Sequence, residues 1–187
     1  MGRTARFERD AVVAAAMEVF WSAGYQGASL QRLRASTGLG PGSLYAAFGN
    51  KEGLFLAALE RYASEIAGLA AREKDPRRLL EGWFAQHIER AQPGQRGCLL
   101  LNASAELPAL DRAAAAAVRA ELGRLEQFFD HTVAKLRGGA SNGETLAQAR
   151  LLIAALAGIS SLSRAGIPRE TLEDVARTAL ASLAPAP

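Results

Sequence analysis

Residues 29–51 read Ser-Leu-Gln-Arg-Leu-Arg-Ala-Ser-Thr-Gly-Leu-Gly-Pro-Gly-Ser-Leu-Tyr-Ala-Ala-Phe-Gly-Asn-Lys. Ser29 is a favourable N-cap, which predicts a short helix to about Ser36 with Leu30 and Leu33 turned inward. Thr37-Gly38-Leu39-Gly40 reads as a turn, and Gly38 admits a backbone conformation that is costly for other residues. Pro41 suits the first position of a second short helix, ending near Phe48, with Leu44 and Phe48 facing inward. Short helix, glycine turn and short helix form the helix-turn-helix arrangement, whose second helix enters the major groove of DNA. Gly42 and Ser43 keep the front of that helix slim, and Tyr45 offers a hydroxyl to a phosphate. Lys51 stands near the start of the next helix, where a backbone phosphate can also dock. Spacing alone does not separate this reading from a glycine turn between two short helices in any bundle.

Upstream, Val13, Ala16, Met17 and Phe20 recur at helical spacing and predict a helix from about Glu8 to Ala23, stopped by Gly24. Downstream, Asn50 caps a longer helix to about Arg72, with Phe55, Ala58, Leu59, Tyr62 and Ile66 as one stripe. Asp75-Pro76 reads as N-cap and first residue of the next helix, in which Leu80, Trp83, Phe84 and Ile88 share a face. Gln92-Pro93-Gly94-Gln95 is a loop, a short apolar helix begins near Gly97, and Pro108 ends it. A long helix follows from about Leu110 to Leu136, then a turn-rich linker from Gly138 to Gly143. Two more helices span about Glu144 to Arg164 and Pro168 to Leu183. No segment alternates as a strand does, so the fold is expected to be all-α with about nine helices. Residues 1–52 would form a helix-turn-helix domain and residues 53–187 a helical bundle.

The chain has 187 residues, 49% of them hydrophobic, enough to bury a core and too apolar for a disordered segment. One cysteine excludes an internal disulfide, and no Cys/His cluster offers a structural zinc site. The longest nearly apolar stretch, Leu151 to Leu162, is too short to span a bilayer. The first residues mix acids with bases, unlike a signal peptide. A soluble, cytoplasmic protein is expected, with no membrane partner, metal or cofactor. The formal charge of +3 is uneven: residues 1–51 hold six bases (Arg3, Arg6, Arg9, Arg32, Arg34, Lys51) against three acids (Glu8, Asp10, Glu18). Of the chain's 22 bases and 19 acids, the remainder is balanced, so the excess sits where phosphate would be met.

The run Gly38-Leu39-Gly40-Pro41-Gly42-Ser43-Leu44-Tyr45, then Phe48, Asn50-Lys51-Glu52 and Leu54, resembles the signature of the tetracycline-repressor (TetR) family. Phe20, Gly24-Tyr25, Gly27, Ser29 and Leu33 match its earlier landmarks, so the resemblance covers roughly residues 7–60. Ser29 and Leu33 stand where Thr and Ile are commoner, Gly40 where a polar cap is usual, and Ala47 where a polar groove residue is frequent. The resemblance implies a homodimeric repressor of double-stranded operator DNA, released by a small molecule in the C-terminal domain. By position, Ser29 would bond a phosphate, and Gln31 and Arg32 would approach bases or backbone. Pro41, Gly42 and Ser43 would line the groove, while Tyr45 and Lys51 would hold phosphates. With few long polar side chains in the second helix, specificity would lean on Gln31, methyl contacts and DNA shape.

The same resemblance implies a dimer interface built from the last two long helices. Leu152, Ala155, Leu156 and Ile159, with Leu172, Val175, Ala179 and Leu183, would line it, although the same residues suit an intrachain core. Cys98 precedes an apolar helix near Arg96, a setting that stabilises a thiolate. Gly97-Cys98-Leu99-Leu100 with Asn102 resembles the electrophile-responsive branch that includes the N-ethylmaleimide repressor. The flanking Leu99 to Leu101 support the other reading, a buried and inert cysteine. Trp83, Phe84, Phe128 and Phe129 would either line an effector cavity or fill the core. His87 and His131 are far apart, Ser160-Ser161 lacks a nucleophile elbow, and no acid pair or phosphate loop suggests an enzyme. The alternative is a helical small-molecule-binding or protein-interaction module without operator-specific DNA binding.

Overall fold

The computed structural model describes residues 2–91 and 97–183, with side chains described outside residues 2–8, 69–70 and 109. The helices are α1 (Gly2–Gly27), α2 (Leu30–Thr37), α3 (Pro41–Phe48), α4 (Lys51–Ala70), α5 (Pro76–Arg90) and α6 (Leu99–Ala105). After a 3-10 turn at Leu107–Ala109 come α7 (Arg112–Leu136), α8 (Gly143–Arg164) and α9 (Arg169–Ala181). The described residues are thus all-α, without a strand, as the periodicity predicts. The expected loop at residues 92–95, and Arg96 beside Cys98, lie outside the described residues.

The chain forms two compact units, Met1–Gly68 with Asn102–Ala120, and Leu69–Leu101 with Glu121–Pro187. This division falls inside α4, α6 and α7, so the first packing unit is larger than residues 1–52. In it, the Ser29 hydroxyl accepts from the Arg32 amide at 3.2 Å, and Gly38 ends α2 at φ 70°. Pro41 opens α3, whose N-cap Gly40 makes no side-chain cap bond. Asn50 caps α4 as expected, its side-chain oxygen accepting from the Gly53 amide at 2.8 Å. Leu33 and Leu44 are buried with Val13, Ala16 and Phe20 of α1 and Leu54, Phe55 and Leu59 of α4. Leu30 and Phe48, expected inward, are only half-buried, because on such short helices only the mid-stripe residue is covered on every side. The Arg9 guanidinium stands 4.8 Å from the Phe48 ring centroid.

Gly24 breaks α1 at φ 71° and ψ 174°, as predicted, but a helical turn resumes through Gly27. Likewise α6 ends at Ala105, ahead of Pro108, which sits in the 3-10 turn. Proline has no N–H for the carbonyl four residues back, and it disfavours the α conformation before it.

In the second unit α5, α8 and α9 pack together, burying Leu80, Phe84, Ile88, Leu152, Leu156, Ile159 and Leu172. Asp75 caps α5 through the Arg78 amide at 2.8 Å. Asn142 and Thr145 cap α8 reciprocally, at 3.1 and 2.9 Å. By length and composition α8, with a mean hydropathy of 1.5, is apolar enough to cross a membrane, although its apolar core run is short. Its inner face is instead covered by its own chain.

Candidate functional site

Ser29, Gln31, Arg32, Pro41, Gly42, Ser43 and Tyr45 are all exposed on the helix-turn-helix, Tyr45 to 46%. They share one short stretch because α2 and α3 turn their leucines inward and leave the opposite side to solvent. A Cβ on Gly42 would meet nothing within 4 Å, so no packing demand within the chain calls for glycine there. A slim front does suit entry into a major groove. The Arg32 guanidinium donates to the Gly27 carbonyl at 3.3 Å, and the Ser36 hydroxyl docks α2 on α1 through the Ala15 carbonyl at 3.0 Å. Ala47 is exposed as well, and presents only a methyl group.

Lys51 departs from this pattern. It is half-buried, and its ammonium stands 4.5 Å from the centroid of the Tyr25 ring. Burial lowers its proton affinity, while the charges of Asp111 and Glu106 oppose that shift. Tyr25 is itself buried, packed edge-on against Phe55 at 5.0 Å and stacked near Phe20 at 6.1 Å. Its hydroxyl donates to the Asp111 carboxylate. Burial, then the Asp111 hydrogen bond and the charges of Asp111 and Glu52, push the phenol pKa well up. The Glu106 carboxylate accepts from the Tyr25 amide at 3.2 Å and the Gln26 amide at 3.1 Å. Those two N–H groups begin the helical turn after the Gly24 break, where the usual upstream acceptors are missing. Glu106 supplies the cap. The roles of Glu106 and Asp111 were not foreseeable from spacing, since they lie 81 and 86 residues from Tyr25.

In the second unit the four aromatics divide. Phe84 and Phe129 are fully buried core, whereas Trp83 and Phe128 are half-buried, their centroids 4.9 Å apart. Cys98 is 8% exposed and immediately precedes α6. Leu152, Leu156, Ile159, Leu172, Ala179 and Leu183, expected at a partner face, are buried inside the protomer; Ala155 and Val175 are half-buried. They turn toward their own unit because α5, α8 and α9 pack on one another. The side of α8 left uncovered carries Ala147, Leu151 and Ala154, with Leu151 47% exposed.

His87, on α5, lies 2.9 Å from the Leu156 carbonyl and 2.8 Å from the Ser160 hydroxyl, both through Nε2. A carbonyl can only accept, so the network assigns the proton to Nε2. Burial pushes the imidazole pKa down to about 4, with the Leu156 bond opposing and the Arg90 charge adding. His87 is a buried polar tie between helices. Among the described residues no group of His, Cys, Asp and Glu could hold a metal ion.

Residues 12–58 match the sequence pattern described as bacterial regulatory proteins, tetR family. Over 108 residues the chain is 38% identical to the HTH-type transcriptional repressor ComR of Escherichia coli (strain K12), covering 54% of this chain and 51% of ComR. Over 151 residues it is 30% identical to the uncharacterized HTH-type transcriptional regulator YezE of Bacillus subtilis (strain 168), covering 77% and 78% of the two chains. The match therefore spans about half of ComR and most of YezE. Among solved structures, a cysteine mutant of the TetR family transcriptional regulator CifR, complexed with 26 bp double-strand operator DNA, superposes with a TM-score of 0.78 at 30% identity. That match covers 93% of this chain and 96% of CifR. The reduced form of E. coli NemR also superposes with a TM-score of 0.78, over 92% of this chain and 95% of NemR, and its 24% identity speaks for the fold.

Proposed function

The chain belongs to the tetR family of bacterial regulatory proteins, and from that membership we propose a transcriptional repressor that holds a palindromic operator as a homodimer. The family is one of transcription regulators rather than enzymes. The observation that carries the reading is the exposed row on α2 and α3, with its open glycine at position 42. The operator complex of CifR supports it.

In this reading residues 1–52 are the DNA-reading head. Ser29 donates its hydroxyl proton to a phosphate while its lone pair caps α2. Gln31 and Arg32 approach bases or backbone, Pro41, Gly42 and Ser43 line the groove, and Tyr45 and Lys51 hold phosphates. Ala47 reads by methyl contact. Two heads must sit about one helical turn of DNA, or a multiple, apart, which a two-fold pairing provides. The uncovered side of α8, together with α9, is the face proposed for that pairing. Residues 53–187 bind the effector, for which the half-buried Trp83 and Phe128 are lining candidates. Electrophile uptake at Cys98 is one way to supply the signal. Effector binding shifts α4, and the heads lose the operator spacing; a coupling of about 1–3 kcal/mol suffices. The protein acts in the cytoplasm.

Binding to duplex DNA carrying the palindrome of its own promoter tests this reading. A mobility-shift titration should show preference over random duplex and an affinity that falls steeply with salt. Binding without preference, or insensitive to salt, refutes it.

A further inference from the structure

We propose that Tyr25 is a positioning residue for the phosphate contact of Lys51, its ring being the platform on which the ammonium stands, with Asp111 and Glu106 holding that platform in place. This inference rests on the DNA-binding reading above.

The ammonium lies 4.5 Å from the ring centroid, within the roughly 6 Å over which a ring face attracts a cation. A free lysine loses conformational freedom when it meets a phosphate, and a side chain already standing on a platform has lost part of it beforehand. The ring is fixed from three directions. Phe55 packs against it at 5.0 Å with the ring planes steeply crossed, its hydroxyl donates to Asp111, and Glu106 accepts from the backbone amides of Tyr25 and Gln26 at 3.2 and 3.1 Å. Gly24 leaves room for this, since a Cβ there would collide with the Glu106 carboxylate. The two acids also oppose the effect of burial on the lysine, favouring the protonated form that a phosphate needs. Both follow α6 closely in the chain, so the grip on Lys51 comes from outside α2 and α3. Tyr25 itself is 6% exposed and too deep to touch DNA, so its effect must pass through Lys51.

The test is the salt dependence of binding to duplex DNA spanning the chain's own promoter. Each phosphate neutralised contributes about 0.9 to the slope of log affinity against log salt. Lys51→Met should therefore lower the slope by about 0.9 per head. Tyr25→Leu should lower it equally, and Tyr25→Leu/Lys51→Met should bind as tightly as Lys51→Met alone. Tyr25→Phe keeps the ring but loses the hydroxyl bond to Asp111, so it should weaken binding no more than Asp111→Ala and less than Tyr25→Leu. Asp111 is exposed, so Asp111→Ala leaves the core intact should Tyr25→Leu fail to fold. It should weaken binding by about three- to tenfold, and have no effect once Lys51 is methionine. An unchanged slope in folded Tyr25→Leu, or an Asp111→Ala effect that is absent or adds to Lys51→Met, overturns the proposal. A wild type without salt-dependent binding removes the DNA-binding reading itself, and the proposal with it.

Discussion

Replacing Gly24 by alanine should destabilise the N-terminal unit by about 2–4 kcal/mol, from two separable sources. At φ 71° and ψ 174° the backbone occupies a region essentially restricted to glycine, which for alanine costs about 1–3 kcal/mol. The new Cβ would also overlap the Glu106 carboxylate, which accepts from the Tyr25 and Gln26 amides at 3.2 and 3.1 Å. Displacing it loses about 1 kcal/mol for the pair of bonds, a low figure because the site is partly open to water. Urea unfolding followed by far-ultraviolet circular dichroism, at fixed protomer concentration, measures the change. The decisive comparison is a double-mutant cycle with Glu106→Ala. Without the carboxylate, Gly24→Ala should retain only the backbone cost, leaving a coupling of about 1 kcal/mol in the cycle. A loss below about 0.5 kcal/mol, or the same loss in both backgrounds, would refute the account of this corner.

Gly42→Trp should keep the wild-type melting temperature, because nothing lies within 4 Å of its Cβ, yet weaken operator binding at least about tenfold by filling the groove; equal binding by fluorescence anisotropy would contradict the placement of α3. His87 titrates at about 4 in the fold against 6.5 ordinarily, so the unfolded chain binds more protons between these values. The stability it contributes, about 3 kcal/mol, is fully present above pH 6.5 and lost as the pH falls towards 4. His87→Gln should flatten that limb of a stability-against-pH curve. An alkylating quinone or aldehyde should release DNA from the wild type and not from Cys98→Ser, with equal release from both refuting direct sensing. Under the proposed pairing, Leu151→Glu, at a 47% exposed position, should shift the sedimentation profile to the monomer while retaining helix content, and an unchanged profile would refute pairing through this face.

The elements whose cause is local were legible in the sequence. Ser29, Gly38, Asn50 and the Asp75-Pro76 pair act within a few residues of themselves, and each ends or begins a helix where expected. The exposed row on α2 and α3 followed from the positions of Leu33 and Leu44, the fixed inner points of two short helices. What the sequence could not show depends on distant partners. Nothing around Gly24 indicates that Glu106 will cap the next turn, so the resumption of α1 to Gly27 was missed. The direction of α8 was hidden for another reason. A helix apolar on nearly every side has no periodic stripe to say which leucines face home, and the packing of α5 and α9 chose Leu152, Leu156 and Ile159.

The exposed apolar strip of α8 has a consequence for the amount of protein a cell keeps. A solitary protomer holds Leu151, Ala147 and Ala154 against water, a standing penalty that pairing removes. Under the proposed pairing, mass action then ties the lifetime of each chain to the number of its copies. Dilution would leave more single chains to unfold and be degraded. The regulator would thereby acquire a lower threshold of abundance, set by one helix face and independent of any operator.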